Sequence, residues 1–482
     1  MSDFSKKVIS GFAWEAITKL LMQVVSWVST IWVARLLTPE DYGLVAISGI
    51  FTGLCLTFSV MGLTNALINK EVLHEYDKAN VFWASALLAV AVYLLLYFLA
   101  PVISYYYETD ELTDIIRVAG AMVIISPLSV VPRAILMREL EFKSLALVNM
   151  FSALAGTVLT LAFALMGWGY WSLILATVAA QALELVALFC VTIYVPSRPK
   201  NIRTLFPMYK YGINILGARL IAYLNVSWPV IMVSSYFGKT PTGHFQMANT
   251  LAGLPMTKIG EIFTKIAFPA FSKIQNDIER TKQVFLAMHC YLFMVVAPMF
   301  TGIALTASEF IPILIGEKWL EIVLPLQVIC VANIFAGSAM IIPRVFEGLG
   351  DANSSFKYQL LITIMSPIAL FLGSPWGVVG MLIGWAFVMP ISYIYLLNVL
   401  FKKINLSLRE FINSIYATCL SLLIMILAIN SIEVITTSSD PGWLLFYKVA
   451  IGIASYSLAY FLFGKKELKQ LLSLLRSRGA AS

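Results

Sequence analysis

The sequence predicts an all-α polytopic membrane protein of about fourteen transmembrane helices, arranged as two pseudo-symmetric six-helix lobes plus two C-terminal helices. Three observations predict it. Of 482 residues, 60% are hydrophobic and 12% charged, with mean hydropathy +0.86, which is too apolar for a water-soluble chain. The apolar runs repeatedly exceed the roughly 20 residues that cross a bilayer. Paired markers also recur in the same order about 200 residues apart, each at an equivalent helix end, as a tandem duplication of a six-helix unit would place them. The pairs are Ser26-Trp27 with Ser227-Trp228, Pro132-Arg133 and Phe142-Lys143 with Pro343-Arg344 and Phe356-Lys357, and Trp168-Gly169 with Trp376-Gly377.

The fourteen runs cover approximately 11–37, 42–69, 80–107, 114–137, 143–167, 169–195, 209–237, 243–268, 282–307, 322–343, 356–374, 377–401, 411–431 and 443–464. The domains that follow are an N-terminal lobe over 1–204, a second lobe over 205–404, two appended helices over 405–464 and a basic tail over 465–482. The repeat closes after the twelfth helix, so the last two are not expected to form the central cleft. Six is an even number, so both copies enter the membrane from the same side and are related by an axis along its normal.

Helix 1 carries Glu15, Lys19, Gln23, Ser26 and Thr30 at steps of three and four, a single polar stripe on an otherwise apolar helix. A charge in mid-membrane costs about 2.5–3.5 kcal/mol, so the stripe either faces a wet cavity or neutralises itself through Glu15 and Lys19 at i, i+4. The preceding Lys6 and Lys7 are followed by no small-residue cleavage site, so no removable signal peptide is expected. Connections alternate in charge. Those holding Lys70, Lys78, Arg133, Arg138, Arg198, Lys200, Lys273, Arg280, Lys402 and Lys403 alternate with acidic or empty ones such as Glu108 to Asp114, which predicts that both termini are cytoplasmic.

Helix 2 places Ser48, Thr52, Cys55, Ser59, Gly62, Asn65 and Asn69 on one face, a pattern equally suited to close helix packing and to a cavity wall. Gln181 and Glu184 in helix 6 suggest either an interhelical hydrogen bond or a proton site. Helix 7, the counterpart of helix 1, repeats the polar stripe with Arg219, Tyr223 and Ser227. Helix 8 carries Lys258, Glu261 and Lys265 on one face near Pro255, and three charges inside one span point to an aqueous cleft. The candidate site therefore comprises the cations Lys19, Arg219, Lys258 and Lys265, the polar residues Gln23, Tyr223 and Asn249, and the carboxylates Glu15, Glu261 and Glu184 for ion coupling. His289 is expected to be packed and hydrogen-bonded. The five cysteines lie within apolar runs without a Cys-x-x-Cys, and the three histidines are scattered, so neither a disulfide framework, a metal site nor a cofactor is expected. The formal charge of +7 is dispersed over short loops, with no basic module for nucleic acid. The tail mixes Lys465, Lys466, Lys469, Arg476 and Arg478 with leucines, as either an amphipathic helix on the inner leaflet or a solvated segment.

The strings Leu36-Leu37-Thr38-Pro39-Glu40-Asp41-Tyr42-Gly43, Phe268-Pro269-Ala270-Phe271-Ser272 and Gly316-Glu317-Lys318-Trp319 resemble the Wzx-type polysaccharide transporters of the multidrug/oligosaccharidyl-lipid/polysaccharide exporter superfamily. The resemblance covers nearly the whole chain. It implies a flippase that moves an undecaprenyl-pyrophosphate-linked oligosaccharide across the bacterial inner membrane by alternating access for surface polysaccharide biosynthesis, with a proton or sodium gradient as driving force. Its partners would be the lipid-linked substrate, membrane lipids and other polysaccharide assembly proteins. It also implies that cations of helices 1, 2, 7 and 8 line the cavity, which Lys19, Arg219 and Lys258 match; helix 2 departs, with no cation between Tyr42 and Asn69. A multidrug or cation antiporter of the same superfamily would favour acidic or aromatic lining instead. A membrane polymerase or ligase would need catalytic groups in a sizeable outer loop, and these loops are short, so no enzyme is expected.

Overall fold

The computed structural model describes residues 25, 27–61, 63–201, 205–435, 440–465 and 467. Among the described residues the chain is helical throughout, without strands. A first helical stretch, α1, covers 27–36. It is followed by α2 (Pro39–Val60), α3 (Leu63–Asn69), α4 (Glu75–Tyr106), α5 (Glu111–Ala119), α6 (Ala121–Leu128), α7 (Val130–Arg138), α8 (Phe142–Leu165), α9 (Tyr170–Thr192) and α10 (Leu205–Phe237). Then come α11 (Lys239–Lys273), α12 (Ile278–Leu314), α13 (Val323–Ala339), α14 (Ile342–Gly348), α15 (Ala352–Gly373), α16 (Gly377–Lys403), α17 (Leu408–Ile435) and α18 (Pro441–Phe463). Among the described residues eleven stretches are long and apolar enough to cross a membrane, and the one over Ala352–Lys403 contains both α15 and α16. The chain is a multi-pass membrane protein.

Side-chain caps set where several helices begin. At α2 the Thr38 hydroxyl accepts the Asp41 N–H at 3.3 Å while Asp41 Oδ2 accepts the Thr38 N–H at 2.8 Å, and Pro39 follows in the first turn. Asp277, Asp351 and Asp440 cap α12, α15 and α18 in the same manner. The run expected as one helix over 114–137 is three. It breaks at Gly120, where a Cβ would come within 2.9 Å of the Tyr93 ring, and at Ser129, just after Pro127. Proline removes one backbone donor and disturbs the preceding turn, and the Ser129 hydroxyl takes the Ser126 carbonyl at 2.7 Å.

The chain divides into two compact units, Met1–Gly243 and His244–Ser482. In the first, Ile47, Leu112, Ile115, Ile116, Val123 and Ile174 form one buried cluster and Leu63, Leu67, Val81, Phe82, Val130 and Val131 another, so α2–α3 and α4 share both. Helix α10 belongs to this unit. Its Gly212 lies against the Met61 carbonyl, and Ser234 donates to the Tyr107 hydroxyl at 3.2 Å. In the second unit α13 packs on α12 and α16, and α17 and α18 pack on α12. Two of the strings that carried the resemblance are core here: Trp319 and Phe271 are fully buried, the latter against Gly348. His289 is buried and hydrogen-bonded to the Tyr393 hydroxyl at 2.7 Å, as expected of a packed histidine. Arg117 stacks over the Tyr97 ring at 4.3 Å.

Candidate functional site

Within the first unit, residues of α2–α3, α6, α7 and α9 enclose a cavity of about 250 Å³, polar for a site among apolar spans. Ser126, Ser129 and Arg133 reach it at helical steps of three and four, across the break that separates α6 from α7. Gln181 and Glu184, three apart on α9, face it from the other side, and Thr64 closes one wall. Arg133 Nη2 pairs with Glu184 Oε1 and also reaches Asn149 Oδ1 on α8 at 3.5 Å. The two side chains are 30% and 25% exposed, so the pair borders the cavity without being sealed. Gln181 Oε1 is buried, with no hydrogen-bond partner among the described residues. An acceptor left so costs about 1–3 kcal/mol unless a donor arrives, which marks the cavity as a place for a water or a hydrogen-bonding ligand. A guanidinium, a carboxylate, a carboxamide and hydroxyls together can take a hydrated ion, an anionic oxygen or a proton.

Among the described residues expected in the site, Glu184 is the one with a charged partner, and its contact with Arg133 joins α9 to α7. Arg133 was legible only as a loop charge and a repeat marker. Tyr223 is tied to the neighbouring helix: its hydroxyl donates to the Ile50 and Gly49 carbonyls of α2 at 2.5 and 3.3 Å, and Gly53 makes room for its ring. Arg219 is half-buried one turn earlier on α10. Asn249 is half-buried on α11, in the second unit. Glu15, Lys19 and Gln23 lie outside the described residues, as do the side chains of Lys258, Glu261 and Lys265, whose backbone belongs to α11. The α2 stripe resolves towards packing. Ser48, Thr52 and Ser59 are buried, and their hydroxyls are spent on carbonyls three or four residues back at 2.9–3.0 Å. Among the described residues no group of three or more His, Cys, Asp or Glu side chains is placed to hold a metal ion.

The chain is similar over almost its whole length to proteins of surface-polymer assembly. It is 24% identical over 419 residues to the lipopolysaccharide biosynthesis protein WzxC of Escherichia coli (strain K12), covering 85% of this chain and 84% of that one. It is 24% identical over 491 residues to the teichuronic acid biosynthesis protein TuaB of Bacillus subtilis (strain 168), with 100% of both covered. Its fold matches that of the lipid II flippase MurJ in an inward closed conformation, with TM-score 0.76 at 16% identity over 94% of this chain and 99% of that one. Residues 32–324 match the model of the family described as polysaccharide biosynthesis protein. That span takes in α2 through the start of α13 and with them the whole Arg133–Glu184 cavity, and the chain belongs to this polysaccharide biosynthesis family.

Proposed function

We propose that the protein is a flippase that carries an undecaprenyl-pyrophosphate-linked oligosaccharide from the cytoplasmic to the periplasmic leaflet of a bacterial inner membrane. The observation that carries this reading is a charged, polar-lined cavity within a helical fold that matches the lipid II flippase MurJ. In the proposed arrangement both termini are cytoplasmic, lobes over 1–204 and 205–404 alternate between inward- and outward-open states, and the cleft is cationic towards the cytoplasm. Lys19, Arg219, Lys258 and Lys265 receive the pyrophosphate, for which arginine offers a planar fork and lysine a mobile point charge. Gln23 and Asn249 offer hydrogen bonds to the glycan, and no bond of the substrate is broken. Glu184, opposed to Arg133, exchanges a proton or binds a cation as the cavity opens, together with Glu15 and Glu261 as ion-coupling carboxylates.

Reconstitution with a fluorescent lipid-linked glycan and an imposed proton gradient tests the reading. Lys19→Ala, Arg219→Ala and Lys258→Ala together should abolish translocation while the protein still inserts; unchanged translocation would sink the cationic cleft. Orientation is tested separately by Asp110→Cys, an exposed position in the α4–α5 connection, in a cysteine-free background. It should react with an impermeant thiol reagent in cells whose inner membrane is intact.

A further inference from the structure

The turn between α8 and α9 passes through Gly167 and Gly169, both at positive φ (78° and 52°), a region that favours glycine. Beside it lies a pocket of about 730 Å³ lined by Asp41, Trp168, Tyr170, Trp171 and Leu175. The Asp41 carboxylate is held by three donors: Oδ2 accepts the Thr38 N–H and hydroxyl at 2.8 Å each, and Oδ1 accepts the Tyr170 N–H at 3.0 Å. Gly169 leaves the carboxylate uncovered, since a Cβ there would stand 3.0 Å from Oδ1. Trp168 lies flat on Phe163, with ring centroids 4.7 Å apart and planes 9° from parallel, yet stays 45% exposed. One indole face is backed and the other is available.

Aromatic residues at a helix end are by themselves an ordinary membrane-interface belt. The second unit shows what that alone looks like. Trp376-Gly377 repeats the Trp168-Gly169 dipeptide, Gly377 again has φ of 76°, and Trp376 is 75% exposed. Its groove, of about 670 Å³, is walled by residues such as Leu372, Ile383 and Phe387 with glycines, and includes no carboxylate. The turn therefore does not require an acid beside it; Asp41 caps α2 and also lends the turn a carboxylate that lipid contact would penalise.

We propose that the α8–α9 turn is a sugar-binding subsite, in which the open face of Trp168 stacks on the C–H face of a pyranose ring and Asp41 accepts its hydroxyls. A flat apolar face beside an oriented acceptor matches the two chemistries a sugar ring presents. A quaternary ammonium would also suit aromatic rings beside a carboxylate, but Asp41 already shares its charge among three donors. The assignment rests on the glycan-transport reading. Glu184 lies fourteen residues beyond Tyr170 on α9, about 21 Å at 1.5 Å per residue, so the subsite and the charged cavity are separate stations along one helix.

The test is photo-crosslinking in cells that make the lipid-linked glycan, with benzoylphenylalanine placed singly at Trp171, Gln181 and Phe98, the last 72% exposed on α4. Mass spectrometry of the adducts should find hexose-bearing species at 171, reduced about tenfold by Trp168→Ala and retained in Trp168→Phe. Adducts at 171 that contain only phospholipid, as expected at 98, would reduce the turn to an interface belt. Loss of the 171 glycan adduct to added tetramethylammonium but not to added oligosaccharide would assign the pocket to cations and overturn the proposal. Glycan adducts at 181 without any at 171 would remove the subsite and leave the transport reading standing. Glycan adducts at neither position would remove both.

Discussion

Two ion pairs among the described residues differ in what surrounds them. In the first unit Arg133 and Glu184 border a polar cavity and remain a quarter to a third exposed. In the second, Lys448 of α18 donates to Glu309 of α12 at 2.7 Å, with the lysine fully buried and the glutamate side chain 10% exposed. Each also has an acceptor without a hydrogen-bond partner among the described residues, Gln181 Oε1 beside the first and Glu309 Oε2 in the second. The charges themselves therefore do not distinguish a working site from a structural one. The adjoining volume does. A pair that meets solvent can exchange its partner for a proton, an ion or a substrate oxygen, whereas a pair closed in by packing can only be kept or lost.

The comparison is broken most directly at the sealed pair. Lys448→Met should leave the Glu309 charge uncompensated and cost about 3–5 kcal/mol, visible as a large drop in the thermal midpoint of the detergent-solubilised protein. Adding Glu309→Leu should restore most of that loss. A single variant as stable as the parent would show that the pair is not sealed. Truncation after Lys403 should be similarly damaging, because it removes α18 and the partner of Glu309 with it. From the repeat alone the appended helices are expected only not to form the central cleft, which leaves them free to serve packing of this kind.

At the accessible pair the ranking should invert. Glu184→Gln is expected to cost only about 1 kcal/mol of stability, since water in the cavity can solvate Arg133, while reconstituted translocation falls about tenfold or more. A variant that transports normally would demote the cavity to packing. Tyr223→Phe sharpens the same contrast within the first unit. It removes donation to the Ile50 and Gly49 carbonyls and should cost about 1 kcal/mol in unfolding without a selective loss of transport.

The smallest effect belongs to a pair at the helix ends. Asp351, before α15, is held down to about 2 from an ordinary 3.8 by the Lys403 ammonium and by the Ser354 hydroxyl and N–H. Its folded value lies below its unfolded one, so its contribution is complete above about pH 4 and disappears as pH falls towards 2. Both partners are partly exposed, so Asp351→Asn should cost at most about 1 kcal/mol near neutrality. The difference from the parent should vanish at the acid end of a pH series of thermal midpoints.

Much of the fold was legible because it depends on local quantities. The apolar runs placed the helices to within several residues, as 42–69 does for α2–α3, while the caps at Thr38, Asp277, Asp351 and Asp440 that fix their starts emerged with the structure. Pro127 and Gly120 stood in plain view, yet the break into α5, α6 and α7 also depends on Tyr93 pressing on Gly120 from α4, a contact no spacing rule contains. The α2 stripe read equally as packing or cavity. Its hydroxyls bond their own helix in either case, and burial against neighbouring helices decides the matter. Glu184 was singled out because a carboxylate in a span is costly, but its partner was hidden among the positive charges that orient the chain.

What the sequence by itself determined is the class of molecule, the rough limits of its apolar runs, and which charges within them needed an explanation. Hydropathy, capping and the cost of a charge in lipid act within a few residues of the chain. The tertiary structure decided which charges meet. Arg133 and Glu184 are 51 residues apart and Glu309 and Lys448 are 139 apart, and whether such residues pair, and whether solvent reaches them, depends on how each helix is rotated and set in depth against its neighbours. That rotation is settled by packing across many side chains at once, and no stretch of sequence records it alone.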